Sequence, residues 1–209
     1  MQNSLDLFDL EDELIVPEIE DAQLQYIPHA FTAPQADDYL RCCLEQLPWR
    51  QDTLRIAGRL IPIPRLQNWF ADDGAEYSYS GISFTANPWP DYLLAMKQVI
   101  EQMTGHRFNS VLANYYRNGN DSVDWHSDDE PELGCQPVIA SVSLGTPRVF
   151  SLRHRFNNAI PQYKLTLQHG SLLLMSGRTQ SHWQHRIAKQ KAIMTPRVNL
   201  TFRAIKDIK

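Results

Sequence analysis

A chain of 209 residues with a hydrophobic share of 43% fits one globular domain, and it contains no apolar run long enough to predict a membrane span. The three cysteines form no CxxC pair, which favours a reducing intracellular compartment, and the N-terminus lacks the positively charged start of a secretory signal. The net charge of −4 at first disfavours a nucleic-acid partner.

The charge is unevenly distributed along the chain. Residues 1–21 contain eight acidic residues and no Lys or Arg, which predicts an acidic N-terminal arm, either disordered or folded back on a basic surface. Residues 22–209 then hold 16 acidic against 20 basic residues, and we expect them to form a single domain. A mildly basic domain is compatible with a phosphate-rich partner, although a solvated tail on a neutral enzyme explains the same charges.

Helical periodicity marks two stretches. Between Thr32 and Trp49 the apolar residues recur at spacings of three and four, and Thr32 can cap the helix. A second helix is predicted over residues 90–105, opened by Pro90 and ended by Gly105.

Short strands are predicted elsewhere. Residues 53–65 predict a hairpin with its turn at Ala57 and Gly58, and residues 76–84 predict one further strand. After residue 108 the apolar period is two, which predicts strands at 110–116, 139–145, 148–154, 163–168, 171–176, 182–188 and 197–205. Two helices followed by many strands predict a mainly β, α+β fold in which the helices buttress a β-sandwich or jelly roll.

The acidic stretch "DWHSDDE" raises the possibility of a metal site. In an extended strand residues two apart point to one side, so His126 and Asp128 would converge. A facial set of two histidines and one carboxylate leaves three positions open, which suits Fe(II) in an oxygenase. By itself such a triplet is more often structural or exposed than metal-binding.

A third ligand must come from elsewhere in the chain. His182 and His185 are separated by an odd offset, so in a regular strand only one of the two can join the site. The remaining histidines are all candidates: His29, His106, His154 and His169.

The segment "PRVNLTFR" has one apolar face and one polar face. The polar face consists of Arg197, Asn199, Thr201 and Arg203. Two inward arginines would need anions, because an unpaired buried charge costs several kcal/mol, whereas an exposed strand with a wet face explains the same pattern. Asn114 and Tyr116, also two apart, could supply neutral donors to the same anion.

Several motifs together resemble the AlkB family of Fe(II)- and 2-oxoglutarate-dependent nucleic-acid demethylases. They are "NSVLANYYRNGNDSVDWHSDDEPELG", "SVSLG", "HGSLLLM", "HWQHRI" and "PRVNLTFR", in the order in which the family has them. The resemblance covers about residues 50–205. It implies a double-stranded β-helix (jelly roll) at about 108–205, with a nucleotide-recognition hairpin and strand at about 50–86.

The resemblance also implies residue roles and cofactors. The Fe(II) ligands would be His126, Asp128 and His185, and Arg197 would pair with the distal carboxylate of the cosubstrate 2-oxoglutarate. The rest of 2-oxoglutarate would be contacted by a polar set: Asn114, Tyr116, Asn199, Thr201 and Arg203. O2 would be the second cosubstrate.

The implied activity is oxidative demethylation of bases such as 1-methyladenine and 3-methylcytosine, with release of formaldehyde. A base in a stack must be flipped out to be reached. Tyr77 and Tyr79 would contact the flipped base, Glu130 would read its exocyclic amino group, and Asp129 would touch substrate backbone or a neighbouring loop.

The expected partner is alkylated DNA, with RNA as a second candidate, and we expect a monomer without membrane contact. Candidate phosphate contacts are Arg55, Arg59, Arg65, Arg153 and Arg155. Ala57 stands at the hairpin tip where duplex-acting family members carry an aromatic finger. Alanine is too small to replace a base, which predicts a preference for single strands unless Ile56 or Leu60 serves as the wedge.

Two other functions stay open at this point. The iron site could act on a protein or small-molecule substrate, or the fold could be a binding module without metal chemistry. The complete set of ligand and arginine candidates disfavours the binding module.

Overall fold

The computed structural model describes residues 14–56, 58–72, 76–79 and 82–206, and only the backbone at residues 56, 76–79 and 82–85. The helices are α1 (Ala33–Gln46), α2 (Asp91–Thr104) and the one-turn α3 (Thr179–His182). The strands are β1 (Gln23–Ile27), β2 (Thr53–Ile56), β3 (Arg59–Pro62), β4 (Leu66–Ala71), β5 (Glu76–Tyr79), β6 (Ile82–Thr85), β7 (Ser110–Tyr116), β8 (Val123–His126), β9 (Ile139–Gly145), β10 (Arg148–His154), β11 (Tyr163–Leu167), β12 (Ser171–Ser176), β13 (Trp183–Ile187) and β14 (Arg197–Arg203).

The described elements form three layers. A six-stranded sheet in the order β1-β12-β9-β14-β7-β4 is the major sheet, and a four-stranded sheet in the order β11-β10-β13-β8 is the minor sheet. One buried cluster joins α1 and α2 to the major sheet, and a second cluster contains residues from both sheets. The mainly β fold with a jelly-roll core and buttressing helices is confirmed.

Strand β14 lies inside the major sheet and has two different faces. Val198, Leu200 and Phe202 belong to the cluster that packs against the helices. The alternate polar residues are also buried, each less than a tenth exposed, so the alternative of a wet outer face does not hold. The polar face points between the two sheets, because side chains alternate across a strand.

The helix ends follow from their sequences. At the start of α1 the backbone N–H of Thr32 donates to the Gln35 side chain at 3.0 Å, and α2 ends at Gly105 with φ 71°. Both predicted helices are therefore confirmed. None of the described helices is long and apolar enough to cross a membrane.

Sequence periodicity missed several strands. β1, β4 and β8 had no prediction, and the stretch predicted as one strand at 76–84 is the hairpin β5–β6. The hairpin β2–β3 was predicted, but its turn residue Ala57 lies outside the described residues. So do residues 1–13, most of the predicted acidic arm.

The described end of the acidic arm packs on the domain. Ile15 exchanges two backbone hydrogen bonds with Tyr26 of β1, both at 2.8 Å. The carbonyl of Glu20 accepts from the indole N–H of Trp183 at 2.9 Å, and Asp21 pairs with Arg178 at 2.8 Å. Residues 15–21 therefore contact the domain, and the boundary at residue 22 stays a prediction.

Gly145→Ala should destabilise the fold more than Gly105→Ala. Both glycines have positive φ, which costs an alanine about 1–2 kcal/mol. At Gly145 an added Cβ would also lie 2.5 Å from the carbonyl oxygen of Pro196, whereas at Gly105 it meets nothing within 4 Å. We expect an additional loss of roughly 1–3 kcal/mol for Gly145→Ala in urea unfolding. Equal losses of unfolding free energy for the two variants would contradict a steric clash of the added Cβ at Gly145, the last residue of β9.

Candidate active site

Three side chains that could bind one metal ion converge between the sheets. His126 on β8 and His185 on β13 are directly paired, with ring centroids 4.2 Å apart. Asp128 follows β8, and one ligand atom from each of the three residues lies within 4.8 Å of the others. Two imidazoles and a carboxylate form the donor set that suits Fe(II) with open positions.

The tautomer of His126 follows from its backbone contact. Its Nδ1 lies 2.8 Å from the carbonyl oxygen of Asp124. A carbonyl can only accept a hydrogen bond, so Nδ1 carries the proton and Nε2 keeps its lone pair for a metal. Phe150 stacks on the His185 ring at 5.1 Å and limits its rotation.

Asp128 is held from both sheets. Its carboxylate accepts from Nη2 of Arg203 on β14 at 2.7 Å, and both side chains are at most 3% exposed. Its backbone N–H donates to Oε1 of Gln180 at 2.9 Å. The neighbouring Ser127 hydroxyl donates to the carbonyl of Trp183 at 2.8 Å, which fixes the loop against β13.

The electrostatics keep all three groups in the state that binds cations. Burial lowers the pKa of His126, and burial with the charge of His126 lowers the pKa of His185 to about 3. Burial alone would raise the pKa of the Asp128 carboxyl, but the charges of Arg203, His185 and His126 outweigh it, and that pKa is lowered. Neutral imidazoles next to an ionised carboxylate fit a metal site.

A narrow cavity beside the metal-ligand candidates contains the residues predicted to bind 2-oxoglutarate. Its lining includes the three of them and the whole predicted 2-oxoglutarate set: Asn114, Tyr116, Arg197, Asn199, Thr201 and Arg203. β7, β9 and β14 pair in register, so Asn199 lies opposite both Asn114 and Ser143. The sheet pairing therefore gathers residues that are far apart in the sequence.

Arg197 has unused hydrogen-bonding capacity in this cavity. It is 2% exposed; its Nη2 donates to Ser143 Oγ at 2.9 Å, and its guanidinium lies 5.1 Å from the Tyr116 ring centre. Its Nε and Nη1 are buried and have no hydrogen-bond partner within the described part of the chain. Burial lowers the pKa of Arg197 to about 10, which leaves it charged at neutral pH. A buried cation with free donors fits the carboxylate of 2-oxoglutarate.

The residues predicted to contact the base differ in burial and in hydrogen bonding. Glu130 is half-buried with an unbonded Oε2, and burial raises its pKa to about 7 against the charge of Arg203. Asp129 is exposed and accepts from Arg155 at 2.7 Å. The side chains of Tyr77 and Tyr79 lie outside the described residues.

Among the arginines predicted to bind phosphates, Arg65 requires a correction. It is 6% exposed, and its Nε donates to Oδ1 of Asn114 at 2.7 Å, so it belongs to the interior of the site. Arg155 is engaged by Asp129, whereas Arg153 is exposed and lies over the ring of Trp125. Arg55 and Arg59 are exposed on the hairpin β2–β3, as a phosphate contact requires.

Similarity to known proteins identifies the superfamily of this chain. The profile of the 2OG-Fe(II) oxygenase superfamily matches residues 23–203. The chain belongs to this superfamily. Membership implies Fe(II), 2-oxoglutarate and O2, the predicted cofactor and cosubstrates, and the site geometry above fits the first two.

Individual members of the superfamily resemble the chain closely. "Alpha-ketoglutarate-dependent dioxygenase alkB homolog 3" of Bos taurus is 44% identical over 82% of this chain and 62% of its own length. "DNA oxidative demethylase ALKBH2" of Mus musculus is 39% identical over 73% of this chain and 66% of its own length. The predicted resemblance to the AlkB family is confirmed. The chain spans less than two thirds of the length of these relatives.

A solved structure supports the superfamily fold. A crystal structure of an "Oxidoreductase, 2OG-Fe(II) oxygenase family, from Burkholderia pseudomallei" matches with a TM-score of 0.56. The match covers 86% of this chain and 84% of that one at 15% sequence identity. It therefore supports the shared fold and nothing about substrate.

The sequence did not single out Gln180 and Ser143, although each holds a site residue by a hydrogen bond. Both are almost fully buried, and each bonds a site residue far away in sequence. The only local signal was their position in buried segments, which does not identify their partners.

Gln180→Leu should weaken metal binding. The substitution leaves the buried Asp128 N–H without an acceptor, and loss of such supporting hydrogen bonds lowers metal affinity roughly 10- to 100-fold. Titration with Co(II), followed by its visible absorption, measures this without turnover. Ser181→Ala, on the exposed side of the same turn, is the matched control. Unchanged affinity in Gln180→Leu would remove Gln180 from this role.

Proposed function

We propose that this chain is an Fe(II)- and 2-oxoglutarate-dependent dioxygenase that oxidatively removes N-alkyl groups from bases of DNA, with RNA as a second substrate. The observation that carries the proposal is one buried cavity with the His126, Asp128 and His185 donor set and, opposite, Arg197 with unused donors. The name "DNA oxidative demethylase" of the ALKBH2 relative supports DNA as substrate over a protein or small molecule.

The metal would be held by His126, Asp128 and His185. Arg203 keeps Asp128 ionised and oriented through their 2.7 Å ion pair, so the carboxylate is in place before the ion arrives. Bound Fe(II) would supply the oxidising chemistry, together with O2 and 2-oxoglutarate. The protein's task is to position the reactants and to exclude water.

The cosubstrate would lie along the polar face of β14. Arg197 would bind its distal carboxylate through the free Nε and Nη1. Asn199 and Thr201 are already oriented, because Asn199 donates to Ser141 Oγ at 2.8 Å and accepts from Thr201 at 3.1 Å. Asn114 and Tyr116 on β7 would close the other side, with Arg65 holding the Asn114 oxygen.

The alkylated base would approach from the mouth of the site. Glu130 follows the metal loop and has a buried oxygen without a hydrogen-bond partner in the described chain, which suits it to receive an exocyclic amino group. Stacking by Tyr77 and Tyr79 stays a prediction, and so do the contacts of Asp129. A hydroxylated N-methyl group would leave as formaldehyde and restore the base.

A preference for single strands is part of the proposal. The hairpin β2–β3 carries Leu60, which is 63% exposed, and Ile61, which is 44% exposed. Neither offers an aromatic face to replace a flipped base in a duplex stack. The monomeric state also remains a proposal.

The purified protein should convert 1-methyladenine or 3-methylcytosine in an oligonucleotide to the unmodified base. Mass spectrometry should show the loss of one methylene per event and a matching yield of formaldehyde, only when Fe(II) and 2-oxoglutarate are present. His126→Ala should abolish the reaction because the metal loses a ligand. The single strand should react faster than the same strand annealed, and faster duplex repair would contradict the strand preference.

Arg197→Gln should lower affinity for 2-oxoglutarate. Two charge-assisted hydrogen bonds contribute roughly 1.5–3 kcal/mol each, so a loss of at least about a hundredfold is expected. Calorimetric titration of the Mn(II)-loaded protein measures it without catalysis. Arg197→Lys keeps the charge but not the forked pair of donors, so its affinity for 2-oxoglutarate should lie between that of Arg197→Gln and that of the original protein. The exposed Arg41→Gln is the control, and an Arg197→Gln variant that binds as tightly as the original protein would exclude this carboxylate site.

A further inference from the structure

Arg148 is a buried cation to which neither the sequence nor the site has assigned a role. It is 1% exposed and is the first residue of β10, the strand that also carries the core residues Phe150 and Leu152. Within the described part of the chain Arg148 forms no ion pair, whereas Arg117 nearby pairs with Asp121 at 2.8 Å. An uncompensated buried charge typically costs several kcal/mol, so this guanidinium calls for an explanation beyond packing.

The hydrogen bonds of Arg148 join two loops at one end of the sandwich. Its Nη2 donates to the carbonyl oxygens of Asp121 at 3.0 Å and of Ala188 at 2.8 Å, and its Nε donates to Oε1 of Gln190 at 3.0 Å. Asp121 lies between β7 and β8, and the other two residues follow β13. All of these acceptors are uncharged, so they satisfy the donors of Arg148 without neutralising its charge.

Arg148 and Arg197 share the ring of Tyr116. The guanidinium carbon lies 5.7 Å from the ring centre for Arg148 and 5.1 Å for Arg197, and both separations are within the range of cation–π contacts. Tyr116 ends β7 and pairs with Arg197 at the start of β14, whereas Arg148 reaches the ring from the minor sheet. The buried ring of Tyr116 is therefore held by one guanidinium from each sheet.

The two guanidiniums are close enough to influence each other. Burial lowers the pKa of Arg197, and the positive charge of Arg148 lowers it further. Burial also lowers the pKa of Arg148, by more than Tyr116 and Asp121 raise it. Two like charges in one interior region would be stabilised by an anion between the sheets. Only Arg197 has free donors there, its buried Nε and Nη1.

We propose that Arg148 is a positioning residue for 2-oxoglutarate, which fixes Tyr116 and adds a second positive charge behind the carboxylate site of Arg197. The inference rests on the proposed function and deepens its cosubstrate site. Tyr116 and Arg197 are among the described residues that line the cavity and Arg148 is not, so Arg148 acts through the ring and through its charge. Its charge favours a 2-oxo acid with a distal carboxylate, because Coulomb attraction extends over several ångströms in a protein interior.

Calorimetric titration of the Mn(II)-loaded protein with 2-oxoglutarate and with 2-oxopentanoate tests this without turnover. 2-Oxopentanoate has the same carbon chain and the same 2-oxo acid group but lacks the distal carboxylate. In Arg148→Gln the ratio of the two affinities should fall roughly tenfold, the size expected for one charge several ångströms away. Arg148→Lys should keep the ratio of the original protein, because it keeps the charge, even where both affinities fall.

Gln190→Leu is the matched control for loosened loops. It removes the acceptor of the Arg148 Nε without changing any charge, so the ratio of affinities should equal that of the original protein. A purely structural role of Arg148 predicts equal losses for the two ligands, and an unchanged ratio in Arg148→Gln would therefore overturn the inference. Arg148→Met is a second uncharged variant with the same expected fall, for the case that Arg148→Gln does not fold.

The remaining outcomes separate this inference from the proposed function. A ratio that falls as far in Arg148→Lys as in Arg148→Gln would overturn the role of the charge. An original protein that binds 2-oxopentanoate as tightly as 2-oxoglutarate would overturn the inference as well. Because no nucleic acid enters the titration, the expected ratios in a protein that removes no alkyl group from oligonucleotides would refute the proposed function and leave the role of Arg148 standing.

Discussion

The site depends on one buried ion pair, between Arg203 on β14 and Asp128 after β8. The arginine belongs to the major sheet, and the carboxylate belongs to the edge of the minor sheet. Removing either partner would leave an uncompensated charge in the interior, which typically costs 3–5 kcal/mol. The pair therefore ties the two sheets together at the point where the metal-ligand candidates meet.

The same constraint explains why the interior tolerates so many polar side chains. The face of β14 that would be apolar core in an ordinary sandwich carries two arginines, an amide and a hydroxyl. Arg197 and Asn199 donate to serines of β9, and Arg203 pairs with Asp128. The remaining capacity at Arg197 marks the place where the fold is incomplete without an anion.

Much of this arrangement could be predicted from local pattern. Alternation assigned the two faces of β14 and placed His126 and Asp128 on one side, because a period of two is built into any extended strand. β4 was missed because nearly all of its residues are buried on both faces, so no alternation marks it. The inward position of Arg65 and the bond from Gln180 to Asp128 join residues 49 and 52 positions apart. Such long-range partners depend on sheet order, which local patterns do not encode.

The contact between the N-terminal segment and Trp183 sets where the domain begins. Trp183 is fully buried, and the Glu20 carbonyl is the acceptor for its indole N–H. A fragment that starts at β1 lacks Glu20, so the buried indole N–H of Trp183 would have no acceptor. Trp183 would also be more exposed, and its backbone carbonyl is the acceptor for the Ser127 hydroxyl in the metal loop. The shortest fragment that keeps the metal loop in shape must therefore start upstream of the first sheet strand.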